Sequence, residues 1–563
     1  MACKAKSAVF NGSQPARHTT FSLVITMPKP LFNPAHFLTP FLAFILVFSL
    51  VFRFSWDIET QLLAHLLILS FFLVFINYNR VYFDVKKDGL ASAFLLCVFV
   101  SLIGNHEKYL ILLDSLVLVD ALLLSYLWKH TAVADRTKLL LIPQLIGACA
   151  AVIGVVGALA SPQNAYLAVF LPKNLIINAG VLAGFFFLCF CFSLNNYQRH
   201  YGFKILTFLL LAGIILTRSR VAAAAAFLSF ASYYVFAAGK SRFQKILVTS
   251  TATLLALVSL VVFTLVKSRQ YSAEETIFFS NRFIWWDTAL EMFRNSPLNG
   301  VGWGNYGYSF AQFKTMPVLN SLFAHNLFLQ MLAETGLLGA LFFVLLFAFS
   351  VFKYIKLIRD PESRRYRVFN FAMLAAVLGL AAVNMTDFSF YIPAVMFLFF
   401  IAVGSPDNRD APARAVPLLK PGLLFPSLAL LVFILCLPLL SMSHYERGLR
   451  YFKANNLTLA ENEFLKSSKL NPISSEVHAK LAEVRFTAYT LSKDKQLLFK
   501  AISDEQAALM LSPRNHLYWS DAAWLFWASG DRSKAIEAMK TAVAYDRFNQ
   551  KHINSLSLIT SKQ

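Results

Sequence analysis

The sequence predicts an all-α, polytopic membrane protein with about 13 transmembrane helices, followed by a soluble C-terminal domain of paired helices. Three observations lead to this fold class: the composition, the length of the apolar runs and the placement of the basic residues. Hydrophobic residues make up 57% of the 563 residues and charged residues only 14%. Soluble domains contain roughly 25% charged residues, so this composition indicates a membrane protein.

Apolar runs long enough to cross a bilayer recur along the first 440 residues. A transmembrane helix needs about 20 mostly apolar residues. The predicted spans lie near residues 37–54, 60–77, 89–104, 108–127, 138–160, 174–194, 203–217, 220–238, 244–266, 333–352, 368–385, 389–404 and 422–440. Residues 1–36 then form an N-terminal tail, spans 1–9 occupy residues 37–266, and spans 10–13 occupy residues 333–440.

The basic residues fix the orientation of these spans. Lys and Arg cluster in every second loop, as in "NRVYFDVKKDG" and "KYIKLIRDPESRRYR". The loops between them, such as "GNHEKY" and "MTDFSF", hold at most one basic residue, apart from the tight "TRSR" turn. Because cytoplasmic loops carry the excess of Lys and Arg, the N-terminus lies in the cytoplasm and the C-terminus outside. This placement explains the net charge of +21 without a nucleic-acid partner.

The N-terminal tail begins with a basic segment. Residues 1–26 lack the continuous apolar region of a secretory signal. We expect them to be either a disordered cytoplasmic tail or residues upstream of a true start at Met27.

The six cysteines give no sign of a disulfide framework or a metal site. They form neither a CxxC pair nor a Cys/His set with zinc spacing, and most lie inside apolar spans. We therefore expect no structural metal and no cofactor.

Residues 267–332 form a long loop on the outer side. The stretch "NRFIWWDTALEMFRNSP" predicts an amphipathic helix, capped at Ser280 or Asn281, whose Phe and Trp side chains lie at the bilayer surface. Pro297 and the glycines of "GVGWGNYG" mark the turns that follow.

Residues 441–563 are expected to form the soluble helical domain. Two of its segments, "ANNLTLAENEFLKSSKLNP" and "SGDRSKAIEAMKTAVAYDR", superpose with Ala460 against Ala535, and Pro513 and Arg547 lie 34 positions apart. This period is typical of tetratricopeptide (TPR) repeats. We expect about three irregular helix pairs that stack into a concave surface for a protein or peptide.

The polar residues suited to chemistry collect at the outer ends of the spans. Arg218 and Arg220 lie in "TRSRVAAAAAF", Arg282 in "NRFIWW" and His325 in "FAHNLFLQMLAETGLLG". An arginine directs two donors at phosphate oxygens, and a histidine can remove a proton from a hydroxyl. Together they indicate transfer of a group from a lipid diphosphate. The simpler alternatives are that the arginines snorkel to head groups or pair with a carboxylate, and that His325 marks a solvated helix end.

Three further polar residues follow His325. Asn326, Gln330 and Glu334 are spaced i, i+4, i+8, so they form one stripe in a continuous helix. Glu334 lies about two and a half turns beyond His325, on the opposite side of such a helix. Glu334 can therefore orient His325 only if the helix is broken, and a hydrogen bond within the bundle is the favoured role.

These segments resemble the O-antigen ligase superfamily of bacterial envelope proteins, which includes lipopolysaccharide O-antigen ligases, pilin-type protein O-oligosaccharyltransferases and O-antigen polymerases. The pieces "TRSRVAAAAAF", "NRFIWWDTALEMFRNSPLNGVGWGNY", "HNLFLQMLAETGLLG" and "DFSFYIPAVMFLFFIAVG" occur in the family's order over about residues 205–405. The resemblance implies an enzyme of the bacterial inner membrane that transfers a preassembled glycan from undecaprenyl diphosphate to a hydroxyl acceptor in the periplasm, with inversion and without a metal. The helical tail is then periplasmic.

The family's motifs fall on particular residues of this chain. Its serine-arginine motif falls on Arg220, its loop arginine on Arg282 and its histidine on His325. The resemblance implies that the arginines, with Arg218 beside them, bind the diphosphate, and that His325 acts as a base or orients the acceptor.

The acceptor depends on the branch of the family. Tyr391 in "DFSFYIPAV" and Gln163 in "SPQNAYLAVFLP" are matches to the protein-glycosylating branch, although the sequence around Gln163 departs from that branch. A helical-repeat tail favours a protein acceptor such as a pilin. Ligation to lipid A-core is the alternative, and glycan polymerisation is third.

Two hypotheses of another class remain. A transporter or flippase would place charged residues near the midplane of several spans, whereas here they lie at the outer ends. A scaffold that only recruits partners would leave the arginines and His325 without a role.

Overall fold

A computed structural model describes residues 34–52, 57–78, 87–102, 108–160, 179–237, 273–406 and 421–561. The described residues form helices and turns, with no strand among them. The predicted span at 244–266 and Gln163 lie outside these residues.

Helices occupy the positions of the other twelve predicted spans. In chain order, with two helices of the long loop, they are α1 (Leu38–Val51), α2 (Ile58–Tyr78), α3 (Lys87–Ser101), α4 (Lys108–Trp128), α5 (Val133–Leu139), α6 (Leu141–Ala160), α7 (Ala179–Leu194), α8 (Tyr201–Leu216), α9 (Arg220–Ala237), α10 (Ala273–Asn295), α11 (Tyr306–Phe313), α12 (Leu327–Arg359), α13 (Arg367–Val383), α14 (Pro393–Gly404) and α15 (Pro421–Lys453).

Five helical segments in the described residues are long and apolar enough to cross a membrane. They are Ile58–Asn77, Val133–Ala160, Leu327–Arg359, Arg364–Val383 and Pro426–Lys453. The chain is therefore a multi-pass membrane protein, and the total of about 13 spans stays a prediction.

Two short helices form the centre of the bundle. Almost every residue of α7 and every residue of α14 is buried. A helix that is apolar on all sides needs neighbours on all sides. Accordingly, α7 packs against α8, α9 and α13, while α14 packs against α4.

The helix that follows His325 begins earlier than its span was predicted to begin. It starts at Leu327 and extends to Arg359, but Gly336 interrupts it with φ 65° and ψ −168°. The predicted span at 333–352 therefore corresponds to the part of α12 around and after this break.

The C-terminal tail continues directly from the last apolar helix. Helix α15 runs through residue 440, where the sequence predicted a boundary, and its end packs against the first tail helix. The tail helices are α16 (Leu457–Leu470), α17 (Ser475–Ser492), α18 (Lys495–Leu511), α19 (His516–Ser529), α20 (Arg532–Tyr545) and α21 (Gln550–Ser561).

Neighbouring tail helices associate mainly in pairs, namely α15 with α16, α17 with α18, and α19 with α20. Ala460 and Ala535, which the sequence placed at equivalent positions, are both fully buried in the second helix of a pair. The TPR assignment itself stays a prediction.

A buried ion pair holds the tail against the long loop. Lys314 Nζ lies 2.9 Å from Asp546 Oδ1, and the side chains are only 5% and 3% exposed. Arg547 Nη2 also donates a hydrogen bond to the Lys314 carbonyl at 3.1 Å. The tail is thus placed beside the loop that precedes His325.

Candidate functional site

His325 lies just before α12, between two aromatic rings. Asn326 caps the helix, since its side chain accepts hydrogen bonds from two backbone N–H groups of the first turn. His325 has a φ of 53°, which is uncommon for a residue other than glycine. Its ring stacks on Trp285, with centroids 4.5 Å apart, and Phe388 meets it edge-on at 4.9 Å. The backbone turn and these rings, rather than helical periodicity, set the position of the imidazole.

A chain of hydrogen bonds braces the backbone that carries His325. The Ala324 N–H donates to Gln330 Oε1 at 3.0 Å, and Gln330 Nε2 donates to Glu334 Oε1 at 3.0 Å. The Tyr306 N–H donates to the same Glu334 oxygen at 3.3 Å. Glu334 therefore acts on the His325 segment through Gln330. The i, i+4 spacing brings Gln330 and Glu334 together, whereas Asn326 serves as the cap.

Two arginines, a histidine and a carboxylate from four separate segments interact electrostatically. Arg220 is the first residue of α9, after Ser219, whose side chain accepts a hydrogen bond at that helix start. Arg282 on α10 interacts with both Arg220 and Asp387, and its charge also acts on His325. Two neighbouring arginine charges repel each other, so this group of residues favours a bound anion.

Burial shapes the protonation of these groups. Burial, with a smaller contribution from the Arg282 charge, lowers the pKa of His325 to about 3. Burial also raises the pKa of Asp387 to about 6, although the Phe388 N–H and Arg282 oppose this change. Burial lowers the pKa of Arg282. The neighbouring charge of Arg220 lowers it further, whereas the charge of Asp387 raises it. At neutral pH His325 is thus an uncharged imidazole beside charged arginines.

The remaining candidates occupy different positions. Arg218 is exposed in the turn before α9, with a φ of 56°. Tyr391 lies in a short 3₁₀ turn, where its ring is 5.6 Å from Trp303 and 5.7 Å from Phe323. Tyr391 therefore contacts Phe323, which stacks on the Phe388 ring beside His325. Arg218 lies at the surface. Among the described residues, no group of three or more His, Cys, Asp or Glu could hold a metal ion.

The break at Gly336 lets the long loop dock on α12. The Val301 N–H donates to the Ala333 carbonyl at 2.8 Å, and the Gly302 N–H donates to the Glu334 carbonyl at 2.9 Å. A break in a helix leaves such carbonyls without their usual partners, and the loop satisfies them. The turn "GVGWGNYG" thus fixes Glu334 from the backbone side.

Replacing Gly336 by alanine should destabilise the protein by about 1–3 kcal/mol from backbone strain alone, because its φ and ψ belong almost only to glycine. A Cβ at this position would also collide with the backbone of Leu298. The apparent melting temperature of the purified protein in detergent measures the effect.

The control is Gly202→Ala in the first turn of α8, where a Cβ has no neighbour within 4 Å. Alanine favours a helix over glycine, so this variant should melt at the wild-type temperature or above it. Equal melting of the two variants would contradict the role assigned to the break.

Sequence reasoning missed four residues of this site. Asp387, Trp285 and Phe388 surround the arginines and His325, and Asp114 on α4 lies near Glu334. Asp387 and Phe388 fall within the quoted piece "DFSFYIPAV", and an acidic residue there could have signalled a partner for an arginine. Asp114 lies in an apolar run, and a carboxylate at membrane depth is costly, so its presence there could have indicated a functional role.

Comparison with known proteins identifies one family. Residues 205–344 match a family model described as O-antigen ligase. The matched segment contains Arg220, Arg282, His325 and Glu334, so the resemblance found in the sequence is confirmed there. No curated protein sequence matches the chain.

Among the solved structures that match the chain is a tetratricopeptide domain. The first TPR of Spaghetti (RPAP3) bound to HSP90 peptide SRMEEVD is 18% identical, over 22% of this chain and 94% of that chain, with a TM-score of 0.21. A likeness at this score carries no argument about the fold.

Proposed function

Because residues 205–344 match a family model described as O-antigen ligase, we propose that the chain moves a preassembled oligosaccharide from undecaprenyl diphosphate to a hydroxyl acceptor on the periplasmic side of the bacterial inner membrane. The family implies a polyprenyl-linked glycan donor and association with the membrane. The observation that carries the proposal is the meeting of Arg220, Arg282 and His325, all within the matched segment, at one site.

The arginines bind and stabilise the diphosphate. Guanidinium groups donate paired hydrogen bonds to phosphate oxygens, and two of them offset the charge that develops on the leaving group. The acceptor oxygen attacks the anomeric carbon from the face opposite the diphosphate. The bond to the phosphate oxygen breaks, undecaprenyl diphosphate leaves with the bonding electrons, and the configuration inverts.

His325 takes the proton that the acceptor hydroxyl loses. A neutral imidazole is needed for this, and the low pKa of His325 keeps it neutral at physiological pH. A general base works best when its pKa lies near the operating pH. The negative charge of a bound diphosphate raises the pKa of His325 by offsetting the Arg282 charge, so the base strengthens when the donor is in place.

The tail supports a protein acceptor such as a pilin. A polar cleft of about 190 Å³ lies between the long loop and the tail. Its lining includes Asn305, Tyr308, Asn320, Arg514 and His516. A peptide segment held by these polar groups lies next to the loop that leads to His325.

Ligation to lipid A-core is the second candidate, and the description of the matched family favours it. A transporter has weaker support, since no family match points to it. The feature that a transporter would share is a buried ionisable pair between α2 and α4, in which His65 Nδ1 lies 2.6 Å from Asp120 Oδ1. A pure scaffold gives no role to the paired arginines and the buried histidine.

The test is glycan transfer in bacteria that supply an undecaprenyl-diphosphate-linked oligosaccharide, scored on a co-expressed pilin and on lipid A-core. The protein should modify the pilin. Modification of lipid A-core alone would replace the first candidate by the second. Modification of neither acceptor would reopen transport and scaffolding.

A variant in the cleft separates the acceptors further. Arg514→Ala should lower pilin modification severalfold, because it removes a cation that lines the cleft. Arg532→Ala, at the start of α20 and absent from the cleft lining, is the matched control. Equal pilin modification by both variants would remove the cleft from the proposal.

A further inference from the structure

A cavity of about 240 Å³ lies among α4, α12 and the turn before α11, close to His325. One part of its wall carries oxygen atoms, from Asp114, Glu334 and the Tyr391 hydroxyl. Another part is aromatic and includes Trp303, Tyr308 and Phe323. No Lys, Arg or His occurs among the lining residues that the structure describes, so the cavity is acidic.

The oxygen atoms are held in place by the protein. Glu334 is fully buried, and its Oε1 accepts the hydrogen bonds from Gln330 and the Tyr306 N–H. Asp114 packs so closely on the backbone of Gly304, at φ 76°, that a Cβ there would collide with the carboxylate. Trp303 Nε1 donates to the Asp114 carbonyl at 3.1 Å. Hydrogen bonds therefore fix the Glu334 carboxylate before any ligand arrives, and the backbone of Asp114 is held beside the loop.

Two polar atoms of this wall lack an aligned hydrogen bond in the described part of the chain. They are Glu334 Oε2 and the Tyr391 hydroxyl, both buried. The Glu334 carboxylate nevertheless lies near enough to the Tyr391 hydroxyl for an electrostatic interaction and a weak hydrogen bond between the two side chains. Because neither atom is fully satisfied within the protein, a ligand that forms hydrogen bonds with them is favoured here.

The chemistry of the wall selects the ligand. Carboxylate oxygens accept hydrogen bonds from hydroxyl groups, and aromatic faces cover the apolar side of a ring. A phosphate finds no Lys, Arg or His among the lining residues that the structure describes. The volume is below the roughly 300–1,000 Å³ of pockets for drug-sized ligands. The cavity thus suits a single uncharged sugar ring rather than a diphosphate or a whole oligosaccharide.

An aromatic layer connects the cavity to the reaction centre. Phe323, in the cavity wall, stacks on Phe388 with centroids 4.5 Å apart and 5° between planes. Phe388 in turn contacts the His325 ring. Leu322 and Tyr308 line the cavity and are 62% and 45% exposed, so it opens toward the loop surface.

We propose that this cavity binds a sugar ring of the lipid-linked donor. The hydroxyl groups of the sugar form hydrogen bonds with Asp114, Glu334 and Tyr391. This assignment rests on the proposed function, because in that function the arginines bind the diphosphate of the donor and the acidic cavity is the remaining site for its glycan. An acceptor sugar of lipid A-core shares the same chemistry, and the experiment separates the two sources.

The experiment measures binding of two lipids to the full-length protein in nanodiscs: undecaprenyl diphosphate, and undecaprenyl diphosphate carrying one N-acetylglucosamine. Asp114→Asn replaces one carboxyl oxygen that accepts a hydrogen bond by an amide group that can only donate one, and Leu322→Trp blocks the opening without a change in the buried core. Both variants should raise the Kd of the sugar-bearing lipid about tenfold or more. The Kd of the sugar-free lipid should stay within about twofold of wild type.

Matched controls are Asp135→Asn, an exposed carboxylate paired with Lys138, and Leu319→Trp, which is 89% exposed and absent from the cavity lining. Equal loss of both lipids, or no loss of either, in the cavity variants would overturn the sugar site while leaving the proposed function intact. Failure of wild type to bind either lipid would overturn the proposed function itself. In a parallel transfer assay, a raised KM for lipid A-core alone would overturn the donor assignment.

Discussion

Replacing His325 by alanine should lower the rate of glycan transfer by about 10²–10⁴-fold, the usual contribution of a positioned general base. The loss is expected in kcat, because the imidazole acts when the acceptor proton moves rather than when the donor binds. Donor binding through the arginines should survive. Single-turnover transfer with saturating lipid-linked donor measures this rate directly.

His200→Ala is the control, since His200 is exposed before α8, and it should transfer at the wild-type rate. A His325→Ala protein with normal membrane levels and normal kcat would remove His325 from the mechanism.

The pH profile adds an independent test of His325. With a pKa of about 3, His325 is uncharged from pH 5 to 8 in the free protein. Its titration therefore causes no fall in kcat/KM toward acid pH near 6.5, the ordinary pKa of histidine. Asp387, with a pKa of about 6, loses its charge below that pH and with it the attraction to Arg282. An acid limb near 6 should disappear in Asp387→Asn. A limb that persists in this variant would assign the titration to another group.

Replacing Arg282 by alanine should lower kcat/KM for the donor by about 10²–10³-fold, comparable to the loss of one preorganised donor that stabilises developing negative charge. Arg282 stands at the centre of the charged group, because it interacts with Arg220, Asp387 and His325. Its removal both weakens diphosphate binding and leaves the leaving group less stabilised. Steady-state transfer with varied donor concentration separates these two effects.

Arg282→Lys keeps the charge but not the two-donor fork, so it should recover only part of the activity. Arg294→Ala is the matched control, since Arg294 lies on the same helix, is 61% exposed and pairs with Glu291. Equal activity of Arg294→Ala and Arg282→Ala would place the diphosphate elsewhere.

Local patterns predicted the helices well. Each described apolar run became a helix because burial of apolar surface and satisfaction of backbone hydrogen bonds in lipid leave few other structures. The helix ends were less predictable. Helix α12, capped by Asn326, begins six residues before the predicted span at 333, and α15 passes through residue 440 because its polar end packs on the tail.

The candidate site was predictable only in part. Arg220, Arg282 and His325 were found from their residue types, their side of the membrane and the motifs around them. Asp387 and Asp114 were missed, since nothing local distinguishes a carboxylate that faces an arginine or a cavity from one that faces water. Glu334 was expected to bond within the bundle, and it does so through Gln330.

The sequence by itself determined that this protein is a helical membrane protein and which residues could handle a diphosphate and a proton. Those properties follow from composition, spacing and the placement of charge, which are local. Tertiary structure decided the left-handed turn at His325, the break at Gly336, and the acidic cavity next to the basic site. These features depend on contacts between distant segments, such as that of Trp303 with Asp114, 189 positions apart. Only long-range packing can bring the carboxyl groups and the arginines of such distant segments into neighbouring sites.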